Sequence, residues 1–307
     1  MKVNNILETI GSTPLVKLNN LMEKFGLEAN LYAKVEFFNP GGSVKDRIAY
    51  NMIQKAIDDD DIDLETTIIE ATSGNTGIGL AMVTAALGMR CILVMPDTMS
   101  IERRKLIEQY GAELVLTEGK LGMKGTIEKA NELMASIPNS FIPSQFENPN
   151  NPSIHTKTTA IEILHDLDNQ VDIFVAGIGT GGTLSGVGQT LKLNNPITQV
   201  IGVEPKDSPL LSEGIFGPHK IQGIGANFVP INYNPGVVDQ IVTASIEESI
   251  DASKMLTRTE GILAGISSGA ALAKGLEFAK LPENKGKNIV VLLPDTGERY
   301  LSTDLFK

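Results

Sequence analysis

What most constrains this chain is the alternation of short apolar runs with helical patterns. Residues 67–71 read as a strand, 76–87 as an apolar helix, 91–95 as a strand and 100–110 as a charged helix. A strand at 113–117 and a helix at 124–136 follow. Strands joined through helices must lie parallel, because the crossover carries the chain back to the starting edge. The expected class is therefore α/β, with doubly wound, mostly parallel sheets. The stretch 141–152 breaks the rhythm with three prolines and three asparagines, and is the candidate hinge between two domains. The pattern then resumes. It predicts a helix over 153–167, a strand over 171–176, a loop at 177–182 and a helix to about 193. Beyond these come a strand at 200–203, helices at 247–259 and 268–280, and a strand at 288–293. The long irregular segment 208–235 reads as a functional loop.

Composition removes several classes of function. At 42% hydrophobic residues there is ample material for a core. A net charge of −11 argues against nucleic acid, whose phosphates would repel the surface. No apolar run approaches the roughly 20 residues needed to cross a bilayer. The opening residues are too polar for a signal peptide. The single Cys91 sits in a buried-strand pattern and reads as a core residue. One Cys and three scattered His predict neither a disulfide framework nor a metal cluster. The expectation is a cytoplasmic globular enzyme.

Three strand-to-helix turns carry the chemistry. The first is Asn39-Pro40-Gly41-Gly42-Ser43-Val44-Lys45-Asp46-Arg47, between a strand pattern at 31–37 and a helix from 44 to about 57. Ser43 reads as the N-cap, with Asp46 completing an approximate capping box. Lys45 then stands in the first helical turn, where the exposed amides are positive and a cation gains nothing. A solvated lysine is one reading. A lysine destabilised as the ammonium, able to form a Schiff base with a carbonyl, is the other. The second turn is Gly177-Ile178-Gly179-Thr180-Gly181-Gly182-Thr183, whose amides and hydroxyls form an anion cradle. It also fits the dinucleotide pattern G-x-G-x-x-G, with Glu204 where a ribose-binding acid would stand. The third is Glu70-Ala71-Thr72-Ser73-Gly74-Asn75-Thr76-Gly77, whose hydroxyls and amides suit a small carboxylate or phosphate, or simple capping. A nicotinamide enzyme needs neither the lysine nor a second cradle. A cofactor with one phosphate and one aldehyde, acting on an amino acid, needs all three.

These stretches, with Gly265-Ile266-Ser267-Ser268-Gly269-Ala270, resemble the cysteine synthase (O-acetylserine sulfhydrylase) and cystathionine β-synthase family. The likeness runs from about Leu7 to Tyr300. It implies a pyridoxal-phosphate enzyme of the tryptophan synthase β-like fold, fold type II. It further implies a smaller, mobile N-terminal domain of 1–12 and 36–149 and a larger domain of 13–35 and 150–307. By the same resemblance Lys45 is the Schiff-base lysine and the base for the substrate α-proton. Asn75 hydrogen-bonds the cofactor's ring oxygen, and Gly179, Thr180, Gly181, Gly182 and Thr183 cradle its phosphate. Ser267 faces the pyridine nitrogen, with Ser268 as the adjacent alternative. Thr72, Ser73, Gly74, Asn75, Thr76 and Gln145 form the substrate-carboxylate site. The loop with Gly225, Asn227 and Asn232 lies beside the substrate's reacting end. A homodimer, and in some members a complex with serine acetyltransferase, are also implied.

One position departs from the family pattern. Asn227 stands in Gly223-Ile224-Gly225-Ala226-Asn227-Phe228 where relatives carry glycine. It adds a donor and an acceptor, and so bears on the choice of leaving group and nucleophile. O-acetyl-L-serine with entering sulfide is the expected reaction. L-cysteine releasing sulfide, with water or a thiol adding, is the alternative. A serine or threonine dehydratase and a nucleotide-binding protein that uses only the Gly177 loop are two further readings.

Overall fold

The structure is a computed structural model and describes residues 2–307. The chain divides into two compact units, residues 1–10 with 39–150 and residues 11–38 with 151–307. The second boundary falls inside the Pro- and Asn-rich stretch.

Chain order runs through β1 (Leu15–Lys17), α1 (Asn19–Phe25), β2 (Asn30–Val35), α2 (Lys45–Asp58), β3 (Thr67–Ala71) and α3 (Asn75–Leu87). Next come β4 (Cys91–Pro96), α4 (Ile101–Gln109), β5 (Glu113–Thr117), α5 (Gly122–Ser136) and β6 (Ser140–Phe141). Then follow α6 (Asn150–Ile154), α7 (Ala160–Asp166), β7 (Ile173–Gly177), α8 (Gly182–Asn194), β8 (Gln199–Pro205) and α9 (Leu210–Glu213). The chain ends through β9 (Gln240–Ala244), α10 (Ile246–Glu260), α11 (Ile266–Ala279) and β10 (Asn288–Leu293).

The first unit holds a four-stranded sheet in the order β5-β4-β3-β6, parallel throughout. Its central β4 is buried along its whole length, as a parallel strand covered on both faces must be. Helix α3 is buried from Thr76 to Thr84 with no polar stripe, and Gly88 closes it at φ 72°. Each fully buried Leu or Ile in this core contributes about 1.5–3 kcal/mol.

The second unit holds a six-stranded sheet in the order β1-β2-β10-β7-β8-β9. Only β1 runs antiparallel, at the edge, where its short length limits exposed backbone. Helix α10 starts with a complete capping box, Ser245 with Glu248. It packs with α11 over one face of the sheet around Leu256, Leu272 and Leu276.

Strand order places the functional loops. In the first sheet the connections run outward from β3 to β4 and β5, and then return to β6 on the other side of β3. The loop leaving β3 is therefore at the point where winding reverses, the usual ligand crevice of an open α/β sheet. In the second sheet β7 has the same standing, between β8 and β10, and the 177–183 loop leaves it.

Several local expectations shift. The helix after Lys45 takes Val44 as N-cap, while Ser43 Oγ accepts from Lys45 N at 3.2 Å. The single helix predicted over 153–167 is interrupted by a π-turn, His155–Thr159, between α6 and α7. Helix α1 and edge strands β6 and β9 carry too little periodicity to be read from sequence.

Candidate active site

In the first unit Lys45 opens α2 and is half-buried. The turn before it is locked by Asp46, whose Oδ2 accepts from Gly41 N at 2.6 Å. A Cβ at Gly41 would lie 2.6 Å from Asp46 Oδ1, so the turn needs glycine there.

The β3–α3 loop begins at Thr72, which is buried, and passes through Ser73, Gly74 and Asn75, which are half-buried. No side chain caps α3, whose N-terminus stands at the positive end of the helix. Thr76 Oγ1 donates to Gln145 Oε1 at 2.6 Å, which brings Gln145 to this loop from 69 residues away. Arg103 on α4 donates to Ser73 O at 3.3 Å. Behind the loop, Glu70 is fully buried, and burial pushes its carboxyl up to about 7 against the pull of two backbone amides.

In the second unit the cradle is built by exclusion. A Cβ at Gly179 would collide with the Gly223 carbonyl oxygen, and one at Gly182 with the Asn151 side chain. Gly181, at φ 81°, faces the Tyr233 backbone at 2.7 Å from its would-be Cβ. The loop can therefore bring bare amides to the start of α8 and nothing larger. Thr180 Oγ1 accepts from Asn151 Nδ2 at 2.9 Å. Thr183 Oγ1 lies 3.2 Å from His155 Nε2, and the other ring nitrogen lies 2.9 Å from Thr159 Oγ1. The π-turn thus aims a buried histidine at the cradle.

Helix α11 begins at Ile266 and carries Ser267 and Ser268 in its first turn. Ser268 Oγ turns toward Asp295 O at 3.5 Å. Ser267 Oγ lies 3.7 Å from a Cβ built on Gly223. Tyr300 OH donates to Asp295 Oδ2 at 2.6 Å, and Gly265 N to Asp295 O at 3.0 Å, which fixes this helix start.

A model of the family "Pyridoxal-phosphate dependent enzyme" matches residues 6–295. A cysteine synthase B of Campylobacter jejuni is 54% identical over all of both chains. The chain belongs to the cysteine synthase family of pyridoxal-phosphate enzymes. Among solved structures, a cysteine synthase of Entamoeba histolytica superposes with TM-score 0.97 at 45% identity, covering 100% of this chain and 91% of that one. A hydrogen sulfide-producing enzyme of Fusobacterium nucleatum gives 0.93 at 47%, covering 98% and 99%.

As a member of this family the protein is an enzyme, and its cofactor is pyridoxal phosphate. The residues present fit that group, since a glycine cradle at a 13-residue helix start accepts a phosphate where side chains would not fit. The dinucleotide reading finds no support. Glu204 is buried and spends its carboxylate on α9, accepting from Leu211 N and Ser212 N at 2.9 Å each and from Ser212 Oγ. Cys91 is buried too, its thiol pushed up to about 12, which makes it inert. Among the described residues no cluster could hold a metal ion and no helix is long and apolar enough to cross a membrane.

The loop from Gly223 onward gives the sequence departure a backbone setting. Asn227 is exposed at φ 63°, and its Oδ1 accepts from Ser208 Oγ at 2.8 Å. Glycine and asparagine are the residues that tolerate this left-handed conformation best. Gly225, at φ 68°, donates to Ile178 O at 2.9 Å, and Asn232 is buried. Sequence reasoning passed over Asn151 and His155, and gave Glu70 a place in the third stretch but no role. Asn151 and His155 lie in the hinge stretch and the helix after it, which carry no motif of their own.

Proposed function

We propose that this enzyme replaces a group on Cβ of a serine- or cysteine-type amino acid, with hydrogen sulfide entering or leaving. The observation that carries the proposal is the pair of strand-to-helix loops suited to anions, one at each sheet's winding reversal, in a chain whose α2 opens with Lys45. The cradle of Gly179, Thr180, Gly181, Gly182 and Thr183 holds the cofactor phosphate. Thr72, Ser73, Gly74, Thr76 and Gln145 hold the substrate carboxylate, and Asn75 orients the cofactor ring. When bound, pyridoxal phosphate makes the α-proton of an amino acid acidic by delocalising its electrons. Lys45 Nζ takes that proton and later returns one. Ser267 would offer a neutral hydroxyl to the ring nitrogen, which would not hold it protonated as a carboxylate would and so would favour elimination and addition at Cβ. Gly225, Asn227 and Asn232 belong to the loop that shapes the reacting end.

O-acetyl-L-serine with entering sulfide, giving L-cysteine and acetate, is the favoured reaction. The Fusobacterium neighbour, titled as hydrogen sulfide-producing, supports a second one in which L-cysteine is the donor. We further propose a cytoplasmic homodimer, with serine acetyltransferase as a candidate partner. The test compares sulfide uptake with O-acetyl-L-serine against sulfide release from L-cysteine. Uptake dominating supports the first reaction and release the second. Keto acid and ammonia without sulfide exchange would instead mark a dehydratase. Lys45→Ala should lose the visible absorbance that borohydride bleaches, and turnover should fall about 10³-fold or more.

A further inference from the structure

The β3–α3 loop leans on a turn contributed by a different part of the same unit. Gln145 meets Thr76 only because the backbone before it bends through Ser144, at φ 56°. A serine adopts that left-handed conformation reluctantly. The clamp on the bend is Glu70, whose Oε2 accepts from Ser144 N at 3.0 Å and Oε1 from Gln145 N at 3.4 Å. Two successive amides converging on one carboxylate form a nest. Glu70 is 4% exposed and stands two residues before Thr72, so one strand end carries both loop and clamp. Burial opposes its charge, and the two amides of the turn favour it.

We infer that Glu70 is a positioning residue for the amino-acid substrate, setting the 143–145 turn so that Gln145 and Thr76 form one pre-aligned grip on the substrate carboxylate. This rests on the proposed carboxylate role of the 72–76 loop. The Thr76 hydroxyl donates to the Gln145 carbonyl oxygen, which fixes the orientation of the amide at this loop. With the clamp removed, the turn can relax out of its strained conformation, and ordering it again opposes binding.

The test uses holoenzyme of wild type, Glu70→Gln, Glu70→Ala, Gln145→Ala and the double variant Glu70→Ala with Gln145→Ala. L-alanine, which has no leaving group on Cβ, is titrated by the change in visible absorbance. KM and kcat are measured with O-acetyl-L-serine. Glu70→Ala should raise the L-alanine dissociation constant and KM about tenfold with kcat unchanged, since the grip binds ground and transition states alike. Glu70→Gln keeps the volume and one acceptor, and should give a smaller rise in the same direction. It also keeps the test decisive if Glu70→Ala fails to fold. In the Gln145→Ala background the Glu70 change should add nothing, because both act through one grip. Weak binding by Gln145→Ala with wild-type binding by both Glu70 variants would overturn the inference and leave the carboxylate site standing. Additive effects, or a fall in kcat at constant KM, would overturn it as well. Unchanged binding in every variant would bring down both the inference and the carboxylate assignment.

Discussion

The β3–α3 loop and the β7–α8 loop occupy the same place in their sheets and open helices of equal length, 13 residues. They are built by opposite means. The β7–α8 loop is made of glycines that would collide if given a Cβ, backed by Asn151 and His155. The β3–α3 loop is half-buried, its Gly74 has open space around it, and a buried carboxylate stands behind it. The first construction suits a group that stays and the second a group that comes and goes. A resident phosphate rewards a rigid, pre-formed cradle, whereas a substrate must also leave.

The largest expected effect comes from breaking the rigid member. Gly179→Ala drives a methyl into the Gly223 carbonyl, and backbone must move. Cofactor affinity should fall about a hundredfold, read from visible absorbance during titration. Gly74→Ala is the matched control, since its φ of −110° suits any residue and no atom lies within 4 Å of the new Cβ. Equal losses of cofactor in the two variants would erase the distinction between the loops.

The second test concerns charge. Glu70 has its carboxyl raised from 4.5 to about 7 in the folded protein. A raised carboxyl contributes stability fully below pH 4.5, and that stability is lost as pH climbs through 7. Wild type minus Glu70→Gln, measured by urea unfolding, should therefore change by about 3 kcal/mol between low pH and pH 8, with the variant favoured at pH 8. Asn151→Asp in the other loop would test the converse, because a charge there should hurt phosphate binding as pH rises. A flat difference for Glu70→Gln would show that its carboxyl is not buried as charge.

A smaller change separates binding from chemistry. Thr76→Val removes the hydroxyl that meets Gln145 and should raise KM for O-acetyl-L-serine about tenfold while cofactor absorbance stays intact. With L-alanine bound to wild type, amide exchange should slow across residues 72–76 and stay unchanged across 179–183. Slowing in both loops would mean that the cradle also moves. The smallest effect is assigned to Asn227→Gly, which keeps a tolerated left-handed position and loses only the bond from Ser208. Stability should change by about 1 kcal/mol or less. A large shift in the ratio of L-serine to L-cysteine formed would instead make this side chain part of the reacting end.

The sequence by itself determined most of the elements and the residue types of the strand-to-helix loops. Strands β3 and β10 lie at the residues where apolar runs predict them, because a parallel strand covered on both faces must be largely apolar. Glycine, threonine and lysine at strand-to-helix turns were legible for a similar reason, since each turn needs those residues within a few positions of one another. Tertiary structure alone decided the long-range partners. Gln145 meets Thr76, Glu70 clamps Ser144, and His155 reaches Thr183, all across separations that no local pattern encodes. It also set the partner of Ser268, whose Oγ points to Asp295 O, a matter of helical phase against β10 and its following loop. Asn227 read as an added polar group, yet its left-handed φ gives it a backbone reason to be there. Local sequence constrains a residue's own backbone and burial, but which distant group it meets is set only when strand order brings the pieces together.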